Sequence, residues 1–351
     1  MARLVTTLAL ALGLAGCGSE EQTTTAVSGA PKPPSAESPA SPVTLTLYCG
    51  RSRSLVDALI NDFEKAHDGI TVERDYAKTP ILALKIREQG RDAGGDLFWA
   101  QDATALAAVS KAGLLQPLDP AILALAAPAY RAADMWVATS GRARVLAYAP
   151  ARVGQADLPA SVFDLVDPKW KGRIGWAPTN ASFQAFVTAM RKARGDDAAR
   201  DWLTGMMRNE AQRYPKNTPI IKGLADDRID LGLPNHYYLL RFRSTDADYP
   251  VAQRFFEAGD VGNLVNVAGI GILADSPHPE AAAQFVRFLL SETAQRYFAE
   301  RSFEYPVVEA VPAHEMLNDL GAPGEFAPSV PLDDLQDLDG TLALLREVGL
   351  L

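Results

Sequence analysis

Cysteine is nearly absent. The chain's 351 residues hold only Cys17 and Cys49. With Cys17 in a targeting segment, Cys49 has no partner, so no disulfide is expected. Histidine is equally sparse. His67, His236, His278 and His314 are scattered, and no two have the i,i+4 or Cys/His spacing of a zinc site. No Lys/Arg run is present and the formal net charge is −9, which excludes a phosphate backbone as partner. Beyond residue 17 no segment reaches about 18 apolar residues in succession, so the processed chain has no transmembrane helix. There is no G-x-S-x-G, no Walker A and no clustered His/Asp signature, which weighs against a hydrolase. No repeat of about 20–50 residues is found.

The N-terminus reads as an address. Arg3 supplies a positive start, and Leu4 to Leu14 is an apolar stretch of signal-peptide length. Leu14-Ala15-Gly16-Cys17 resembles a bacterial lipobox, which implies a diacylated Cys17 as the first mature residue. The alternative is a plain secretory signal with a chance cysteine. Two acyl chains are enough for stable membrane anchoring. Residues 18–42 are rich in Ser, Thr, Pro, Ala and Gly and hold almost no large apolar side chain. Such a stretch cannot bury a core and reads as a tether, with a reach of roughly 30 Å.

The length suggests two domains. From Val43 strand-like and helix-like patterns alternate. Val43–Tyr48 reads as a strand, and Leu55, Val56, Leu59, Ile60 and Phe63 recur at helical spacing. Ile70–Arg74 and Asp96–Trp99 are further strands, with a helix over Ile81–Gln89 between them and another through Ala105, Leu106 and Val109. This βαβαβα order predicts a parallel α/β sheet. The pattern restarts at Val145–Tyr148, Phe183–Lys192 and Asp230–Leu233, and ends with Asn266–Leu273 and Pro279–Leu290. Ligands in such lobes sit beyond the carboxyl ends of strands, here Tyr48–Ser54, Asp102 and Asn235–Tyr238.

In the last of these loops stands Tyr237-Tyr238. On a strand two adjacent phenols would point to opposite faces; at a helix start they converge. A phenol with a pKa near 10 needs a strong cation to ionise at neutral pH, and hard oxygen donors suit a hard trivalent ion. Taken alone, adjacent tyrosines are commonly packing elements. His236 beside them reads as a surface imidazole, and Cys49 as a small core residue.

Asn235–Tyr238 resembles the twin-tyrosine loop of the bacterial ferric-iron-binding periplasmic proteins, the transferrin-like substrate-binding family of iron ABC transporters. Leu47–Val56, Asp96–Leu115, Trp136–Tyr148, Trp176–Val187, Asn217–Tyr238 and Gly259–Leu273 resemble its segments in order, over roughly residues 44–310. The resemblance implies a two-lobed α/β periplasmic-binding-protein fold of type II kind, with the ligand cleft between lobes joined by a two-strand hinge. The expected lobes are 44–135 plus 268–310 and 136–267 plus 311–351. It implies no enzyme activity. It implies Fe(3+) held by Tyr237 and Tyr238 and by carbonate or phosphate as synergistic anion. The family's anion turn falls on Asn180, Ala181 and Ser182, and its anion-bonding asparagines on Asn217 and Asn235. The expected setting is the periplasm or cell surface, with a lipid-anchored monomer serving an inner-membrane ABC permease.

Departures matter. Where family members carry a histidine ligand this chain has Ser52, and where some carry a glutamate it has Gln101. A third tyrosine of some relatives is also absent near Ala181. Arg51 and Arg53 could clamp the anion, or be solvated charges at a helix start. Asn180 could be a plain N-cap. A binding protein for a ferric chelate, an oxyanion or another metal complex stays open as the alternative, with an extracytoplasmic hydrolase behind it.

Overall fold

The apolar runs of the chain pair into two sheets. In the computed structural model residues 42–132 and 134–351 are described; the expected signal segment with Cys17, and the tether up to residue 41, lie outside them. The strands are β1 (Val43–Cys49), β2 (Ile70–Tyr76), β3 (Leu97–Ala100), β4 (Arg131–Ala132), β5 (Trp136–Ala143), β6 (Leu146–Tyr148), β7 (Ile174–Trp176), β8 (Gln212–Arg213), β9 (Leu231–Gly232), β10 (Ala252–Arg254) and β11 (Val265–Ile272). The first sheet has the order β2-β1-β3-β11-β5-β4, the second β10-β6-β9-β7-β8.

β1 lies parallel to β2 and β3, as the βαβαβα order predicts. The sheet does not stay parallel. β11 runs antiparallel to both β3 and β5. Its chain arrives directly from the second sheet without a crossover helix, and only a crossover would restore the parallel sense. Gly269 on β11 has a packing reason. A Cβ there would lie 2.8 Å from Leu106 Cδ1 and 2.9 Å from the Trp136 ring.

The helices are α1 (Arg53–Ala66), α2 (Thr79–Gln89), α3 (Ala103–Lys111), α4 (Pro120–Leu123), α5 (Ala181–Arg194), α6 (Asp196–Arg208), α7 (Asn217–Ala225), α8 (Tyr237–Arg243), α9 (Pro279–Leu289), α10 (Glu292–Ser302), α11 (Pro323–Phe326) and α12 (Leu338–Glu347). α1 buries Val56, Leu59, Ile60 and Phe63, the face its spacing marks. No helix among the described residues is long and apolar enough to cross a membrane.

The chain leaves the first sheet at Ala143 and enters the second at Leu146, then returns between Arg254 and Val265. Trp136–Ala143, which the sequence reading assigns to the second lobe, is thus a strand of the first sheet, bonded to β11 and β4. The expected lobe boundary falls before Trp136, but register, which no single segment reveals, decides sheet membership. The C-terminal segment is not confined to one lobe either: α12 packs against α5 of the second and α3 of the first.

A buried ion pair braces the first crossing. Arg51 donates to both Glu304 oxygens, at 3.0 and 2.8 Å, with both side chains 2% exposed. The Ser140 hydroxyl of β5 also donates to Glu304. Burial alone would raise the Glu304 carboxyl, but the Arg51 and Arg142 charges and the Ser140 bond outweigh it and hold it below the usual range. Glu304→Gln leaves a buried guanidinium without its counter-charge, so a loss of about 3–5 kcal/mol at neutral pH is expected in denaturant melts. A depressed folded-state pKa contributes stability above the unfolded value, lost as pH falls through the folded one. The gap between parent and variant should therefore shrink in acid. Equal stability at pH 7 would remove the bridge as a support.

Candidate functional site

β9 ends at Gly232, and the chain turns through Leu233 and Pro234 back onto the crossing. Val145 N–H donates to Pro234 O at 3.2 Å, and His236 N–H to Ala143 O at 3.0 Å. α8 starts at once, so Tyr237 and Tyr238 are its first two residues, which lets the two phenols lie side by side. Their rings stack with centroids 4.3 Å apart and planes at 29°. Tyr237 is buried in a cluster with Ala143, Val145, Phe303 and Tyr305; Tyr238 is half-buried at its edge. Burial, and then the Tyr237 phenol beside it, push the Tyr238 hydroxyl well above the ordinary phenol range, against the pull of Arg241 and Arg142.

Cations surround the pair. Arg241 lies 4.8 Å from the Tyr237 ring centroid. Arg144, buried at the crossing, donates to Ser182 O at 3.2 Å and to Leu233 O, so it ties the start of α5 to the turn before the tyrosines. Burial pulls its guanidinium down to about 9, partly offset by Tyr238 and Tyr237. Arg142 is also buried and donates to Gln101 O, while its Nε and Nη1 have no partner. Both arginines thus bond backbone carbonyls rather than carboxylates. Arg142 shares the charge of Glu304, but Arg144 has only the two phenols as charge partners; a buried guanidinium without a counter-charge is costly, and an anionic ligand is what relieves it.

The remaining expected residues divide. Asn235 bridges Arg144 in the turn just before the tyrosines. Asn217 heads α7 at 1% exposure, and neither atom of its amide has a partner. A buried polar group without a partner marks a place for a ligand or water. Asn180 caps α5: its Oδ1 accepts from Ser182 N at 2.9 Å and from Ser182 Oγ at 2.7 Å, with Ala181 the first helical residue. That is the plain capping role, which an incoming anion would have to share. Gln101 is half-buried and reaches the site through its carbonyl on Arg142. Ser52 is exposed at the start of α1 and makes no capping bond.

Two expectations meet a different arrangement. The Arg51 guanidinium, offered above to an anion, is occupied by Glu304. Arg53 is exposed and lies 4.6 Å over the Tyr76 ring. His236 is no surface imidazole; it is wholly buried, and burial pulls it down to about 4 against hydrogen bonds to Phe303 and Ala143. Its apolar surroundings come from residues distant in sequence, so a local reading could not place it. Sequence reasoning also passed over Arg142 and Arg144. Two arginines at i,i+2 in the otherwise neutral run Trp136–Tyr148 were the available signal. Among the described residues no three His, Cys, Asp or Glu side chains converge, so the hard donors on offer are phenols and amides.

Residues 58–323 match the sequence profile of the family described as bacterial extracellular solute-binding protein. The chain is 32% identical over 312 residues to the major ferric iron-binding protein of Neisseria meningitidis serogroup B, covering 87% of this chain and 93% of that one. Among solved structures, iron-bound HitA from Pseudomonas aeruginosa superposes with a TM-score of 0.81 at 34% identity, over 88% of this chain and all (100%) of that one. A Trichodesmium protein (IdiA, FutA) solved with iron and citrate ligands gives a TM-score of 0.77 at 29% identity, over 88% and 100%.

Proposed function

The chain belongs to the bacterial extracellular solute-binding protein family, whose members bind solutes for transport and are not enzymes, and we propose that it captures ferric iron with a synergistic anion and passes it to an ABC importer. The observation that carries this reading is the stacked phenol pair at the head of α8, backed by buried Arg144 and Arg142. In this reading Tyr237 and Tyr238 bind the ion as phenolates. Two phenolates cancel two of three positive charges, and an anion supplies the rest of the coordination shell. Carbonate or phosphate would lie against Asn217, Asn235, the Asn180-Ala181-Ser182 turn and the free donors of Arg142. The iron and citrate of the Trichodesmium relative favour a second reading, in which the co-ligand is a polycarboxylate. Ser52 and Gln101, neither of them anionic, leave coordination positions for such a co-ligand.

Cargo held between residues of both lobes would favour closure about the two crossings through its differential affinity for the closed state. The protein is proposed to work as a monomer in the periplasm or at the cell surface. There Cys17 carries the lipid and an inner-membrane permease receives the iron; the mass of the mature N-terminus reads the lipid directly.

The test is a titration of chelator-stripped protein with Fe(III) plus bicarbonate, phosphate or citrate. An orange-red phenolate charge-transfer band should grow to one equivalent, and the arm with the tightest binding names the co-ligand. Colourless protein with no bound iron in all three arms would overturn the reading.

A further inference from the structure

We propose that His236 is a positioning residue that locks the tyrosine pair to the crossing between the two sheets, an inference that rests on the ferric reading above for its consequence but not for its geometry. The imidazole is completely buried. Its Nε2 lies 2.7 Å from Phe303 O, so that nitrogen carries the proton and donates. Its Nδ1 lies 3.1 Å from Ala143 N, so that nitrogen accepts. One neutral tautomer satisfies both partners.

The partners matter more than the bonds. Ala143 is the last residue of β5, where the chain leaves the first sheet. Phe303 ends α10 in a left-handed conformation, with φ 57°, and directly precedes Glu304 of the buried ion pair. The His236 backbone adds a third tie, N–H to Ala143 O at 3.0 Å. The ring packs 4.7 Å from Tyr305 and meets Tyr237 edge-on at 5.7 Å. One side chain, adjacent to the first phenol, therefore joins the head of α8 to the hinge strand and to the end of a first-lobe helix. The phenols are presented from the hinge itself, so their aim is set by the crossing and not by a free loop.

The experiment compares His236→Phe, which keeps the ring and loses both bonds, with His236→Gln, which keeps a donor within reach of Phe303. In the iron-free proteins, amide exchange should speed up in His236→Phe around residues 143–145 and 235–240 and stay unchanged in β7. With Fe(III) and the best anion, well below each melting temperature, His236→Phe should bind roughly 10- to 100-fold more weakly with a shifted charge-transfer band. His236→Gln should recover much of both. Unaltered local exchange in folded His236→Phe would overturn the proposal, as would a lower melting temperature with the band and affinity of the parent. Should His236→Phe not fold, His236→Asn takes its place, since its shorter side chain reaches only the Nδ1 position and loses the bond to Phe303; parental exchange and band there overturn the proposal equally. A parent that binds no iron would overturn the ferric reading alone, since the exchange measurement still judges the lock.

Discussion

The Tyr237→Phe/Tyr238→Phe double variant is expected to lose the visible band entirely and to bind ferric iron about four orders of magnitude more weakly. Metal sites with binding energies of roughly 10–16 kcal/mol shared over about four ligands yield on the order of 100-fold per ligand. Each Phe removes one hydroxyl and keeps the ring. The 4.3 Å stack and the burial of Tyr237 among Ala143, Val145 and Phe303 therefore survive. Folding should be nearly unchanged, which separates loss of a ligand from loss of structure. Each single variant should keep a weaker, shifted band. Tyr237 stands deeper in the hinge cluster, while Tyr238 lies at its edge. A double variant that held iron as tightly as the parent would remove both tyrosines from the site, whatever else the protein binds.

The second large effect is with pH. Burial, then Tyr237, hold the Tyr238 hydroxyl above the ordinary phenol value, so in the empty protein it is protonated throughout the physiological range. Binding as a phenolate must release that proton. Mass action then sets the sign: affinity rises with pH, by roughly 10-fold per unit for each proton released. Two phenols imply up to about six decades between pH 5 and pH 8, reduced by whatever protons the co-ligand itself exchanges. Neither Arg144, pulled down to about 9, nor His236, pulled down to about 4, changes charge in that window. The slope is therefore assignable to the phenols and the anion, and replacing bicarbonate with citrate separates the two. Competition with a chelator of known affinity at several pH values measures it. A flat profile from about pH 5 to pH 8 would rule out phenolate ligation.

Much of this protein is written locally. Helical spacing over Leu55–Phe63 marks the buried face of α1, Gly90 stops α2, and the adjacency of Tyr237 and Tyr238 predicts two phenols side by side at a helix start. Each of these depends on periodicity, a backbone preference or a side chain's chemistry, all properties of a short segment. The decisions left to the tertiary structure are those that compare distant segments. Trp136–Ala143 reads like the start of a new lobe, yet its hydrogen-bonding partners on β11 and β4 hold it in the first sheet. Arg51 and Arg142 are both guanidiniums near the site. Only the arrival of Glu304, some 250 positions later in the chain, neutralises the first, while Arg142 keeps free donors. His236 looks solvated beside two tyrosines until Phe303 and Ala143 close over it. Charge and donor type belong to the residue, but whether a charge is free or spent depends on which partners folding brings within about 3 Å, and no local pattern encodes that distance.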